Sequence, residues 1–202
     1  MTDTIAQNLL TVARQELARS LAGLCAAVGA DESSILLPRG DSELHFFASN
    51  APALMRPDAP IVPISASFSG LAFRTGQTIA FADAASQEAH NKAVDAHVGF
   101  QTHEFAAIPI YDQSVVGVLT LVNRPIGSPP RPFEMSELRV ATALAQDLAR
   151  PLAMLAGLAA DTAADGAGAL DPDLLADLTA LTEPERRVVQ SLANSLLQNR
   201  GQ

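Results

Sequence analysis

Residues 105–123 read FAAIPIYDQSVVGVLTLVN, two apolar runs that meet at Asp112-Gln113. Such a pair of runs around a short polar junction predicts an antiparallel hairpin. Both runs are nearly continuous in apolar residues instead of alternating, as expected of central strands covered on both faces. The rest of the chain must therefore supply a layer on each side.

Downstream, RPIGSPPRPFEMSEL (124–138) breaks into prolines and a glycine and ends on a cap-like Ser136-Glu137. From Ser136 onward, Leu138, Ala141, Leu144, Ala145, Leu148, Leu152 and Leu155 return at helical spacing. Prolines at 125, 129, 130 and 132 stiffen the corner between strand and helix. Upstream, Ile5, Leu9, Val12, Leu17, Leu21, Leu24 and Val28 form an apolar stripe on a helix ending at Gly29. SSILLP (33–38) and ELHFFAS (43–49) flank a turn-forming Arg-Gly-Asp and read as a second hairpin. Four prolines in 50–66 rule out regular helix and leave a loop with an edge strand at IVPIS. FSGLAFRTGQ (68–77) predicts a short helix stopped by Gly76, TIAFADA a brief strand, and SQEAHNKAVDAHVG (86–99) short helical turns. Antiparallel strand groups with helices at both ends indicate an α+β fold, with the helices packed against one face.

The polar stretch 64–105 is punctuated by Phe68, Phe73, Phe81, Val94, Val98, Phe100 and Phe105. A segment that is polar outside and apolar inside forms a pocket wall against a sheet, which makes it the candidate binding region.

Charge and composition narrow the chemistry. The chain has 202 residues, a net charge of −9 and no Lys/Arg cluster longer than a pair, which disfavours direct contact with nucleic acid or an anionic membrane. The N-terminal stretch is interrupted by Asp3, Arg14, Glu16 and Arg19 and reads as neither a signal peptide nor a membrane span. The single cysteine, Cys25, excludes a disulfide framework and suits a reducing compartment, so a cytoplasmic location is expected. Cys25 sits within a helical stripe and reads as a buried inert thiol, and no G-x-S-x-G elbow or glycine-rich phosphate loop occurs. His90, His97 and His103 are spaced seven and six residues apart, unlike ligands on one helix face, so no metal site is expected. No catalytic residue is assigned.

FSGLAFRTGQTIAFADA, then VDAHVGFQTHEFAAIPIYDQSVVGVLTLVNR, then PFEMSEL and a long helix, together resemble a GAF domain over roughly residues 15 to 155. This is the small-molecule sensing module of cyclic-nucleotide phosphodiesterases, phytochromes and many bacterial regulators. The resemblance implies a central antiparallel sheet of about six strands, the first and last helices on one face and the pocket on the other. Asn123, Arg124, Phe133 and Glu137 stand where the family has a structural clasp between strand end and final helix, and Arg124 can pair with an acid such as Glu137. Phe68, Phe81, Asp83, Asp95, Val98, Phe100, Thr102 and Thr120 are the pocket residues it implies. Val98 and Thr120 replace polar groups that contact the purine in phosphodiesterase-type members, so a cyclic nucleotide is not favoured and the ligand stays unidentified. The pocket cysteines of free methionine sulfoxide reductases and the signature motifs of bilin-binding members are missing from the matching positions, and an enzyme is not expected.

The expected organisation is a domain over 1–158, a linker over 159–172 and a helical tail over 173–202. The expected function is cytoplasmic sensing of a small molecule, reported through the terminal helices of a homodimer. The alternatives are a ligand-free dimerisation or interaction module, and the sensory part of a transcription regulator, since LTEPERRVVQSLA resembles the opening of a LuxR-type helix-turn-helix.

Overall fold

Strands β1 (Glu32–Arg39), β2 (Glu43–Ser49), β3 (Val62–Pro63), β4 (Ile79–Phe81), β5 (Phe105–Asp112) and β6 (Ser114–Val122) form one sheet in the order β3-β2-β1-β6-β5-β4. All pairings are antiparallel. The computed structural model describes residues 2–83, 92–98, 101–129 and 131–164. The 105–123 hairpin is β5-β6, with β6 beside β1 at the centre of the sheet. It turns through Gln113 in the left-handed region at φ 57°.

Helices α1 (Thr2–Val28) and α4 (Met135–Ala164) pack together on one face. There Leu21 and Leu152 meet Ile35, Ile108, Ile110, Leu119 and Leu121, all fully or almost fully buried. Each such side chain contributes about 1.5–3 kcal/mol by leaving water. The two-residue repeat of a strand sends the intervening residues Leu36, Ala107 and Val118 to the opposite face. Helices α2 (Phe68–Thr75) and α3 (Lys92–Val98) cover that face.

Two glycines fix α2. A Cβ on Gly70 would lie 2.2 Å from the Ile64 carbonyl oxygen, so the helix approaches the chain after β3 more closely than any side chain allows. Gly76 ends the helix in the left-handed conformation at φ 64°, its carbonyl accepting from the Tyr111 hydroxyl at 2.9 Å. At the other end the Ser67 hydroxyl accepts from the Gly70 amide at 2.9 Å and donates to the Pro63 carbonyl at 2.6 Å.

Two details differ from the sequence reading. Helix α4 starts at Met135, and its cap is not Ser136-Glu137: Glu137, in the first turn, accepts from the backbone amide of Glu134 at 2.7 Å, one half of a capping box. The helix also continues past residue 158 to Ala164, because the alanines that erase the apolar stripe are themselves the strongest helix formers. The remainder of the expected linker and the whole expected tail lie outside the described residues.

Candidate functional site

On the face away from α1 and α4, the sheet, α2 and α3 border a partly open cavity of about 50 Å³. That is room for about four water molecules. Its floor is Glu32 and Leu36 of β1, Thr120 and Val122 of β6, Phe105 of β5 and Phe46 of β2. Ser67, Phe68 and Ser69 of the α2 start, Val94 and Asp95 of α3, and Thr102 close it.

Glu32 is the unusual member. It is 5% exposed, and its Oε2 finds no hydrogen-bond partner among the described residues. Among the described residues its Oε1 has only the Ser34 hydroxyl at 3.4 Å, whose single proton has a closer acceptor in the Ser49 Oγ at 2.9 Å. Burial pushes the Glu32 carboxyl up to about 7; the Ser34 bond opposes this, while Asp31 and Asp95 add to it.

Asp95 is fixed from the side. One carboxylate oxygen accepts the Thr102 amide at 2.8 Å and the other accepts the Thr102 hydroxyl at 2.5 Å. This latch ties α3 to the segment entering β5. The ring Nε2 of His97, two residues further along α3, lies 3.0 Å from the Ala53 carbonyl oxygen, which ties the short helix to Pro52–Met55.

Of the residues expected at the pocket, Phe68, Asp95, Thr102 and Thr120 come together around this cavity. Phe81 stands behind Phe68, ring centroids 4.5 Å apart, and does not line the cavity itself. Asp83 is exposed and borders a separate, wider hollow with His103, Asn123 and Arg124. Phe100 and the side chain of Val98 lie outside the described residues. Glu32, Ser67 and Ser69 were not expected. Glu32 follows Asp31 just ahead of the predicted strand 33–38. The signal that finds it is the alternation Glu32, Ser34, Leu36, which shares a face with Thr120 opposite Ser34.

Asn123 and Arg124 sit where β6 ends. Asn123 adopts a left-handed φ of 54°, which asparagine tolerates better than most residues. Its Oδ1 accepts the His103 amide at 2.7 Å and its Nδ2 donates to the Gln101 carbonyl at 2.9 Å, so it grips the segment that carries Thr102. Arg124 points the other way and is 8% exposed. It donates to the Val28 and Gly29 carbonyls at 2.7 and 3.1 Å, to Pro132, and in a two-pronged pair to Glu137 at 2.7 and 3.1 Å. Its guanidinium also lies 4.2 Å from the Phe133 ring centroid. Partial burial raises the Glu137 carboxyl, but the bonds from Arg124, Arg131 and the Glu134 amide outweigh it and hold the group at about 2.

Cys25 is buried among the helix-face core, on the other side of the sheet from the cavity. Burial, with help from Glu32 and Asp31, pushes its thiol up to about 11, so it is protonated at neutral pH and a poor nucleophile. Among the described residues no group of three or more His, Cys, Asp or Glu is arranged to hold a metal ion.

The geometry agrees with what comparison finds. A similar fold, that of the GAF domain from a phosphoenolpyruvate-protein phosphotransferase of Coxiella burnetii, is 21% identical and covers 77% of this chain and 98% of that one, with a TM-score of 0.59. The corresponding Acinetobacter domain is 19% identical over 77% of this chain and 97% of its own, TM-score 0.55. A type II free methionine-R-sulfoxide reductase from Thermoplasma acidophilum is 14% identical over 71% and 94%, TM-score 0.55. At these identities the likeness is one of fold. No curated protein matches the chain. The profile of the GAF domain family matches residues 2–153, which takes in the sheet, α1, α2, α3, the first part of α4 and the clasp, and the chain therefore belongs to the GAF domain family.

Proposed function

We propose that this chain is a cytoplasmic sensory module that takes a small molecule into the cavity between the sheet and α2–α3 and reports its presence through α1 and α4 of a homodimer. The observation that carries the reading is the cavity wall. Glu32, Ser69, Thr102 and Thr120 place polar side chains in a space that a plain core would fill with hydrocarbon. Asn123 and Arg124 supply a route outward. The first grips the segment holding Thr102, and the second grips the end of α1 and the start of α4. A ligand that draws Thr102 or α3 inward then has different affinities for two arrangements of the helices, which is the requirement for signalling.

Catalysis is not part of this reading, since the one cysteine lies on the opposite face of the sheet. Cyclic nucleotides are poor candidates because no Lys, Arg or His is among the described lining residues to meet a phosphate. The described helices include none long and apolar enough to cross a membrane.

A ligand-free interaction module is the second reading. It is favoured by Phe68, which packs on Phe81 and Phe105 with centroids 4.5 and 5.6 Å apart and takes up much of the available space. Native mass spectrometry of gently purified protein, followed by thermal-shift screening of cyclic nucleotides, amino acids, 2-oxo acids and amines, separates the two. A co-purifying mass or a saturable melting shift supports the sensor, and neither in any class removes it. Light scattering on the eluting protein tests the dimer.

A further inference from the structure

We infer that the ligand is a small organic cation carrying N–H donors, an ammonium or guanidinium group, with the Glu32 carboxylate as its anchor. The inference rests on the sensor reading above and names the chemistry of that same cavity. Four observations carry it.

The Glu32 Oε2 is buried, borders the cavity and has no partner among the described residues. A buried carboxylate oxygen left without a donor is costly, and proteins leave such groups where something else completes them. The remaining polar groups of the wall are mostly engaged. The Thr102 hydroxyl is spent on Asp95, and Ser67 is committed to Pro63 and Gly70. The wall therefore offers an acceptor in need of a donor, not a set of donors awaiting an anion.

Charge points the same way. Asp95 and Asp31 stand near enough to Glu32 to raise the cost of its ionisation, and the described lining residues include no cation to offset them. A bound ammonium relieves both repulsions together, whereas a carboxylate or phosphate worsens them. A metal ion is a weaker fit, because both Asp95 oxygens already accept from Thr102 and no cluster of three ligating groups is present among the described residues.

The volume sets the size. A cavity of about 50 Å³ admits a head group of about four non-hydrogen atoms. Phe46, Phe68 and Phe105 on its wall suit the carbon stem of such a group.

Ethanolamine, ethylene glycol and glycolate form a matched set of cation, neutral molecule and anion at this size, to be titrated into the full chain by calorimetry and thermal shift. Saturable binding of ethanolamine alone is the expected result. Glu32→Gln is expected to weaken it by about tenfold to a hundredfold, while Glu43→Gln, away from the cavity, leaves it unchanged. As a readout independent of any variant, amide resonances of Glu32, Ser69, Asp95, Thr102 and Thr120 are expected to move together on titration. Binding of glycolate or ethylene glycol equal to that of ethanolamine overturns the inference, as does an ethanolamine affinity that Glu32→Gln does not alter, or resonance changes confined to other regions. If none of the three binds but another class in the broad screen does, the cation is wrong and the sensor stands. If nothing binds in either experiment, both fall.

Discussion

Replacing Glu32 with glutamine keeps the shape of the side chain and removes the charge, so its effect on stability isolates the cost of burying that carboxylate. An ordinary glutamate ionises near 4.5, and in the folded chain Glu32 ionises near 7. The folded state thus holds a proton that the unfolded chain has already released between those values. Stability from this group is fully present below 4.5, declines as the pH rises, and is lost above 7. At about 1.4 kcal/mol for each pH unit of the gap, wild type forgoes up to about 3 kcal/mol at pH 8 that Glu32→Gln retains. For a chain of this size about 3 kcal/mol corresponds to about 6–12 °C in melting temperature. Thermal melts of both proteins from pH 4.5 to 8.5, in a buffer without amines, test this. The curves are expected to converge near pH 4.5 and to separate with rising pH, the variant being the more stable. Curves that run parallel across the range refute the burial argument, because a neutral replacement then has the same effect whatever the charge on Glu32.

Other perturbations read other parts of the structure. Arg124→Met leaves Glu137 and the last carbonyls of α1 without their shared donor and is expected to cost about 3–5 kcal/mol by chemical denaturation, with Arg124→Lys intermediate because it cannot form the two-pronged pair. Glu137, held at about 2, should contribute stability that is present above about 4.5 and lost as the pH falls toward 2; an acid limb in the wild-type stability curve that Glu137→Gln abolishes is the expected outcome. Gly70→Ala puts a methyl 2.2 Å from the Ile64 carbonyl oxygen and should cost at least about 2 kcal/mol, measured by denaturant midpoint; a neutral result means α2 is not seated against that backbone. Asp95→Ala releases Thr102, so hydrogen exchange of the Thr102 amide should quicken while that of the β6 amides holds, and any ligand-induced melting shift should vanish.

Much of the architecture was legible because apolar spacing is a property of the chain itself. The β5–β6 hairpin, the α1 stripe and the Gly76 stop each depend on a few neighbouring residues and appear where the pattern puts them. The edge strand was legible too, since Pro63 cannot serve a central strand. What the pattern could not reveal is which polar residues the closed fold would bury. Glu32 is adjacent to Asp31, which is exposed, and only the register that sets Ser34 opposite Thr120 turns one acid into the cavity and leaves the other in water. Asp83 is the reverse case, an acid beside a confident strand that the end of β4 leaves outside. The start of α4 escaped for a similar reason: Ser136 has the chemistry of a cap, but the turn is closed by Glu137 reaching back to Glu134 while also holding Arg124.

The sheet begins with the two residues of β3, one of them a proline, and ends with the three of β4. Both outer strands are much shorter than the strands between them, which run to nine residues, and the proline of β3 has no amide to donate. Short edge strands, and a proline on one of them, are among the devices that disfavour addition of a further strand from a neighbouring molecule. The outline of the sheet thus disfavours fibre-like growth from the β3 and β4 ends themselves.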